Sequence, residues 1–358
     1  MKRVAIIGTQ GVPAAYGGFE TLVENIIGEN CAPDVHYTVF CSGKDCKQRL
    51  DTYKGARLEY VPLHANGMQS IPYDMLSMCR SLRGYDVLLV LGVSGCMFLP
   101  VVRLLSRAKV IVNIDGLEHK RKKWGTFARR VLRLSEAVAV RFAHVIVADN
   151  KGIQDYVTGT YGKQAELIAY GGDHVLLHET KEHEQAILDR YGLSSQEYAM
   201  SVCRIEPENN CHVILEAFAR TDKKLIFIGN WEKGEYGKEL KEKYANSPNI
   251  RILDPIYDLD ILYAFRKHAG WYMHGHSAGG TNPSLVEAMF FGRPILCYDV
   301  VYNRETTFGQ AYYWKDAASL VRLLSQPNLD GSAMTRLARQ HYTWKVIAGQ
   351  YERLYGDN

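Results

Sequence analysis

The 358-residue chain has eight cysteines but no Cys-x-x-Cys pair and no zinc-type Cys/His spacing, which excludes the familiar dithiol-redox and zinc-ribbon classes. The cysteines stand at 31, 41, 46, 79, 96, 203, 211 and 297, and a chain this long buries a core without covalent help, so they read as reduced thiols. Proline is scarce, at 11 residues, and no low-complexity tract occurs, so disorder is not expected over most of the length. Long apolar runs are missing as well. The most apolar uncharged stretch, 87–102, is interrupted by Gly92, Gly95 and Pro100 and falls short of the ~20 residues a spanning helix needs. The start Met1-Lys2-Arg3-Val4-Ala5-Ile6-Ile7-Gly8 enters a strand pattern at once, without an apolar signal region, so a cytoplasmic location is expected. The dinucleotide fingerprint G-x-G-x-x-G is also absent, which counts against an NAD enzyme.

What is present is an ordinary globular balance, 47% hydrophobic and 23% charged, over a length that suggests two domains. The net charge of +4 hides an asymmetry. Residues 1–170 hold 22 Lys+Arg against 15 Asp+Glu, and the remainder holds 21 against 24. A basic half without a nucleic-acid signature points to an anionic substrate or an anionic membrane surface, not to DNA or RNA.

Short β-branched or apolar runs alternate with helix-period stretches, the pattern of parallel sheets covered by helices, so the class is α/β. Strands are expected at 4–7, 37–40, 58–61, 87–91, 110–113 and 145–148, then at 199–202, 225–229, 250–253, 270–273 and 295–298. Ile168-Ala169-Tyr170 followed by Gly171-Gly172-Asp173 reads as a strand ending in turn residues, which places a domain switch near 170. The expected domains are therefore 1–170 and 171–341. Trp344, Ile347, Tyr351 and Leu354 at helical spacing make 342–358 a helix with one buried face that crosses back to the first domain.

Four segments carry chemistry. The first strand runs into Gly8-Thr9-Gln10-Gly11 and then Gly17-Gly18, with Phe19, Leu22, Val23, Ile26 and Ile27 marking a helix. Such a strand-to-helix turn leaves backbone N–H groups open to a phosphate or sugar, or simply turns the chain. Asn113-Ile114-Asp115-Gly116-Leu117-Glu118-His119, at another strand end, places two carboxylates and an imidazole where an acceptor hydroxyl could be oriented or deprotonated, unless it is a solvated loop. Lys122, Lys123 and Trp124 follow, and no acid interrupts 119–135. Trp124, Phe127, Val131, Leu134 and Val138 then define one helix face, with Arg129, Arg130 and Arg133 largely elsewhere. This fits either a core helix with a basic solvent side or a helix lying on anionic lipid. In the second half Arg204 lies just beyond a strand and can hold a diphosphate bidentately. Gly279-Gly280-Thr281-Asn282-Pro283-Ser284 reads as a helix start whose N–H groups face an anion, with Glu287 one turn deeper to take sugar hydroxyls. His274 and His276 lack a third Cys, His or acid at ligand spacing, so no metal or other cofactor is expected.

Taken together, these segments resemble glycosyltransferase family 4 of the GT-B fold: Gly17-Gly18 with Glu20, Arg204 after the first strand of the second domain, and Gly280 to Glu287 with Ala288-Met289. More narrowly, Gln10-Gly11-Val12-Pro13, Tyr16 to Glu20, Asp115 to Trp124 and Gly279 to Ser284 look like the bacterial β-1,4-rhamnosyltransferases of polysaccharide biosynthesis. The resemblance implies two Rossmann-like domains facing each other across a cleft. It also implies retaining transfer of a sugar, L-rhamnose from dTDP-rhamnose or another dTDP- or UDP-sugar, to a lipid-diphosphate-linked saccharide, without a metal. The enzyme would work at the inner face of the cytoplasmic membrane, with no nucleic-acid partner. Asp115, Glu118 and His119 would act on the acceptor hydroxyl. Gly17, Gly18, Arg204, Asn209, Gly279, Gly280, Thr281, Asn282 and Glu287 would bind the donor, and Lys122, Lys123, Trp124, Arg129, Arg130 and Arg133 the acceptor or the membrane. Three positions depart from the family pattern. Gly279 stands where most members have the first of two glutamates, Glu208-Asn209-Asn210 where many have a lysine, and His119 where the narrower group often has an aromatic residue. A nucleotide-sugar 2-epimerase and a non-catalytic nucleotide-sugar-binding protein are the rival readings.

Overall fold

The structure is a computed structural model that describes residues 1–14, 17–30, 32–114, 116 and 125–356, the Phe127 side chain excepted. The chain divides into two compact units, Met1–Tyr170 with Trp344–Asn358, and Gly171–Thr343. Tyr342 and Thr343 thus belong to the second unit, two residues beyond the expected boundary. Among the described residues, no helix is long and apolar enough to cross a membrane.

In the first unit the strands are β1 (Lys2–Ile7), β2 (Val35–Ser42), β3 (Thr52–Tyr53), β4 (Ala56–Val61), β5 (Val87–Leu91), β6 (Lys109–Ile114), β7 (Val145–Ala148) and β8 (Glu166–Leu167). Among the described residues they form an eight-stranded sheet in the order β3-β4-β2-β1-β5-β6-β7-β8. Every pairing is parallel except β3 with β4. Continuous apolar runs such as Val87–Leu91, all five residues buried, are what a strand covered on both faces requires. Ile168 to Tyr170 is not a strand: the ladder ends at Leu167, and Ile168 and Tyr170 instead pack into the core. The Gly18–Gly28 helix buries Leu22, Val23, Ile26 and Ile27 against β1 and β2, and the Trp344–Tyr355 helix buries Trp344, Ile347, Tyr351 and Tyr355 in the same cluster. Asn113 Nδ2 donates to Tyr351 Oη at 2.6 Å, tying the end of β6 to this last helix.

The second unit contains β9 (Tyr198–Val202), β10 (Lys224–Ile228), β11 (Ile250–Leu253), β12 (Trp271–His274), β13 (Ile295–Tyr298) and β14 (Tyr312–Trp314). Its six-stranded sheet, among the described residues, is parallel throughout in the order β11-β10-β9-β12-β13-β14. That is the doubly wound order, with its topological switch between β9 and β12, where ligands of open α/β sheets bind beyond the strand carboxyl ends. Trp314 and Leu320 lie in the cluster on one side of this sheet and Tyr198 and Phe265 in another.

One buried acid in the first unit sets a pH dependence. Asp74, on the Ser70–Arg80 helix, is 4% exposed, and burial pushes its carboxyl up to about 8 against the opposing bond from the Gly95 N–H. The native state therefore keeps a proton that the unfolded chain releases near pH 4. The stability this contributes is complete below about pH 4 and is lost as pH rises through about 8. Asp74→Asn, which cannot ionise, is expected to gain stability over the wild type in urea unfolding, by more at pH 8 than at pH 5. An equal difference at both pH values would contradict the buried proton.

Candidate functional site

In the second unit, two loops leave the carboxyl ends of β9 and β12 and are knit together. The loop after β9 carries Arg204 and a short turn at Pro207–Asn209, and Asn210 adopts a left-handed conformation before the Cys211–Phe218 helix. Asn209 Nδ2 donates to the Arg204 carbonyl at 2.6 Å, and Asn209 Oδ1 lies 2.9 Å from His276 Nδ1. Asn210 Nδ2 donates to the Gly275 carbonyl at 2.8 Å, and Ser277 gives both its N–H (2.9 Å) and its hydroxyl (2.7 Å) to the Glu208 carbonyl. Asn303 Nδ2 closes the second loop from behind by donating to the His276 carbonyl at 2.9 Å. Approach is so close at Gly275 that a Cβ there would fall 2.1 Å from the Asn209 carbonyl oxygen. The loops thus act as one rigid lip at the switch point. Arg204, 39% exposed with Nε 4.0 Å from Glu206 Oε2, keeps its guanidinium reachable from solvent.

The helix that follows, Pro283–Met289, is capped by Asn282, whose side chain accepts from the Ser284 N–H at 3.0 Å. The Leu285 and Val286 N–H groups go to the Asn282 carbonyl. This corrects the expectation that the first-turn N–H groups face a ligand, because Asn282 takes them itself. Ahead of the helix, among the described residues, the N–H groups of Ala278, Gly279, Gly280 and Asn282 make no backbone hydrogen bond, and Gly280 is buried. Thr281 is 5% exposed.

Glu287 lies one turn into the helix, 15% exposed, and is held from two sides. Arg266 Nη2 donates to Glu287 Oε2, and His174 Nε2 lies 3.6 Å from Oε1. Arg266 is itself 6% exposed, so the pair is a buried ion pair in which Glu287 answers a charge of the protein's own. Sequence reasoning missed both partners, since neither Arg266 nor His174 lies in a motif. His274 is buried, and burial followed by the neighbouring His276 pushes it well below the ordinary histidine range, so it is neutral at pH 7. Among the described residues, the only His/Cys/carboxylate group spaced to hold an ion is Glu179, His183 and Asp260, of which His183 is exposed and the two acids are half-buried.

The first unit holds its glycine-rich turn with carboxylates. Glu20 Oε1 accepts from the Gln10 N–H (2.8 Å) and the Thr9 hydroxyl (3.1 Å), and Glu24 Oε2 accepts from the Ala14 N–H (2.6 Å). Burial would raise Glu24, but the bonds from Ala14, Tyr53 and Lys54 outweigh it and hold the carboxyl below its usual range. Gly17, with φ 135°, precedes the helix, and a Cβ there would lie 1.9 Å from Glu20 Oε2. Gly18 opens the helix beside Tyr170. Glu20 was noticed only as part of a motif, and the structure makes it the buttress of the turn. Asp115, Glu118, His119, Lys122, Lys123 and Trp124 lie outside the described residues.

The Thr126–Phe142 helix corrects the face read from its periodicity. Leu134 is 54% exposed, and among the described residues of the helix the buried ones are Leu132, Ser135, Glu136, Ala139 and Val140. Two polar residues point inward because both find partners: Ser135 Oγ donates to the Val93 carbonyl at 2.5 Å, and Glu136 Oε1 accepts from Tyr156 (2.8 Å) and Tyr161 (2.7 Å). Arg129, Arg130 and Arg133 are exposed.

The buried pair makes a stability prediction. Glu287→Ala leaves the Arg266 guanidinium buried without its counter-ion and is expected to cost about 3–5 kcal/mol in urea unfolding. Glu287→Gln, which keeps an acceptor oxygen, is expected to cost less. An Ala variant as stable as the wild type would contradict the pairing.

Comparison with known proteins bears on the fold. Residues 1–173 match a domain of unknown function (DUF1972), and residues 184–322 match the family described as glycosyl transferases group 1. No sequence among curated proteins matches the chain. Among solved structures, sucrose-phosphate synthase from Thermosynechococcus elongatus is similar with a TM-score of 0.81 at 16% identity, over 99% of this chain and 98% of that one. Anabaena HepE in complex with UDP-glucose gives 0.76 at 14% identity, covering 99% of both chains. The catalytic domain of starch synthase IV from Arabidopsis thaliana, bound to ADP and acarbose, gives 0.72 at 15%, over 99% and 98%. Identities this low speak for the fold alone. The chain has the GT-B fold of two parallel-sheet α/β domains, and its residues 184–322 are similar to the glycosyl transferases group 1 family.

Proposed function

We propose that the chain is a retaining glycosyltransferase that moves L-rhamnose from dTDP-rhamnose to a hydroxyl of a lipid-diphosphate-linked saccharide during cell-surface polysaccharide assembly. The observation that carries the reading is the rigid lip at the β9–β12 switch point, within the residues that match the group 1 family, with a solvent-reachable Arg204 guanidinium on one loop and Gly279 and Gly280, whose N–H groups make no backbone bond, on the other. A guanidinium with adjacent main-chain donors suits a nucleoside diphosphate, the leaving group of a nucleotide sugar. Two of the similar structures, HepE with UDP-glucose and starch synthase IV with ADP, are named for complexes with such nucleotides.

In this mechanism Arg204 and the Gly279–Gly280 amides take up the negative charge that develops as the glycosidic bond to the diphosphate breaks. Preorganised donors already aimed at that charge need no reorganisation during the step. Asn209, held by His276, fixes the loop that presents Arg204, while Thr281 and Asn282 shape the far side of the lip. Glu287 takes hydroxyls of the nucleoside sugar with whatever acceptor capacity Arg266 and His174 leave it. The charge is thus balanced by protein groups, and the reading calls for no metal. The first unit brings the acceptor. Asp115 orients or deprotonates its hydroxyl, ahead of Glu118 and His119, and such base assistance typically contributes about 10²–10⁴ to the rate. Gly17 and Gly18 let the backbone approach the reacting sugar. A lipid-linked acceptor puts the enzyme at the inner face of the cytoplasmic membrane, with Lys122, Lys123, Trp124, Arg129, Arg130 and Arg133 toward the acceptor or the headgroups.

Arg204→Ala and Asp115→Ala are each expected to lose at least about tenfold in turnover with unchanged melting temperature. The assay follows release of the nucleoside diphosphate from a panel of nucleotide sugars with and without a lipid-linked saccharide. Full activity in both variants would overturn the residue assignment. Conversion of the donor sugar without acceptor would favour an epimerase, and donor binding without turnover a binding protein.

A further inference from the structure

The Leu99–Leu105 helix of the first unit, with the Cys96–Phe98 turn leading into it, is apolar on both sides. Cys96, Leu99 and Val102 are fully buried, whereas Met97, Val101, Leu104 and Leu105 are 41, 38, 82 and 58% exposed. The exposed four are spaced i, i+4, i+7 and i+8, so they share one outer face. Arg103 is the one charged residue of this helix, and a helix apolar on two opposite sides is ordinarily covered on both. Beside it packs the Thr126–Phe142 helix, locked in orientation by its inward Ser135 and Glu136 bonds, which leaves Leu134 outside with Arg129, Arg130 and Arg133. Five of the thirteen large apolar side chains most exposed among the described residues therefore fall on three neighbouring elements, the turn and the two helices. Basic residues are frequent in the same stretch: Arg103 stands within the first helix, Arg107 and Lys109 follow it, and the sequence from Gly92 to Ser135 contains acids only at 115 and 118.

We propose that this face is a membrane-docking surface, with Leu104 and Leu105 entering the interfacial region of an anionic bilayer and the arginines on the neighbouring helix gripping its headgroups. The charge pattern selects this occupant. A second copy of the same face would bring like charges together, whereas anionic lipid supplies the opposite sign around an apolar centre. The proposal gives a location to the membrane association contained in the functional reading above. It stands on the surface of the first unit alone, so it can fail or hold without the sugar transfer.

The test is co-sedimentation of the full chain with vesicles of phosphatidylcholine alone and of phosphatidylcholine mixed with phosphatidylglycerol. Wild type is expected to sediment with the mixed vesicles, to release at high salt, and to stay largely free of the neutral ones. The double variant Leu104→Asn with Leu105→Asn, at positions exposed enough to leave the melting temperature unchanged, is expected to weaken binding at least about tenfold. Arg129→Glu with Arg133→Glu is expected to abolish the preference for anionic lipid. Leu167→Asn, exposed on β8, serves as the control and is expected to bind as wild type does. Wild type that ignores both vesicle types, or a double variant that binds as tightly as wild type, would overturn the proposal. So would a wild-type dimer in sedimentation velocity that the double variant dissolves. Nucleotide-sugar turnover with a water-soluble acceptor, read on the same wild type and double variant, tests the transfer reading separately from docking.

Discussion

A handful of hydrogen bonds between two loops, Asn209 to His276, Asn210 to the Gly275 carbonyl and Ser277 to the Glu208 carbonyl, underlies the rest of this site. The strand order of the second unit reverses between β9 and β12, so the connections leaving these strands run to either side and open a crevice at their carboxyl ends. A crevice between loops is useful only if the loops keep their positions. Here side-chain amides do the work of a missing β ladder, and the absence of a side chain at Gly275 lets the two backbones meet. Arg204 is carried on one side of this joint and the Gly279–Gly280 turn on the other, so a ligand that uses both pays little to order them.

The ion pair beneath has a different character. Arg266 and Glu287 are both largely withdrawn from water, and a buried pair of this kind stabilises little by itself while either partner alone is costly. Its value is positional. It holds a carboxylate one turn inside a helix whose own first-turn N–H groups are already taken by Asn282. The first unit uses carboxylates in the same way, with Glu20 and Glu24 accepting backbone N–H groups of the glycine-rich turn.

Much of the fold could be read from residues because parallel strands covered on both faces are continuous apolar runs: eleven of the expected strands are present within a few residues, and the one read at Ile168 to Tyr170 is not. What escaped was short or peripheral. β3 and β8 have two residues each, and β14 is a Tyr-Tyr-Trp edge strand with no apolar run to announce it. The helix at Thr126–Phe142 was misread for a physical reason. Periodicity assigns serine and glutamate to solvent, but Ser135 and Glu136 find a carbonyl and two tyrosine hydroxyls inside, and Leu134 is turned out in their place. At the site, Arg204, Asn209 and the Gly279–Asn282 stretch were legible from their place after strands. The pairing of Glu287 with Arg266 and His174 was not, because it joins residues 21 and 113 positions apart that no local pattern relates.

The central claim is that the lip of the second unit grips a nucleoside diphosphate through the Arg204 guanidinium, and calorimetric titration of wild type and Arg204→Ala with dTDP and UDP measures that grip without any acceptor. Wild type is expected to bind at least one of the two, and loss of a charge-assisted contact of about 1.5–3 kcal/mol should weaken binding about 10- to 100-fold in the variant. Equal affinity in the two proteins, or no binding of either nucleotide to wild type, would contradict it.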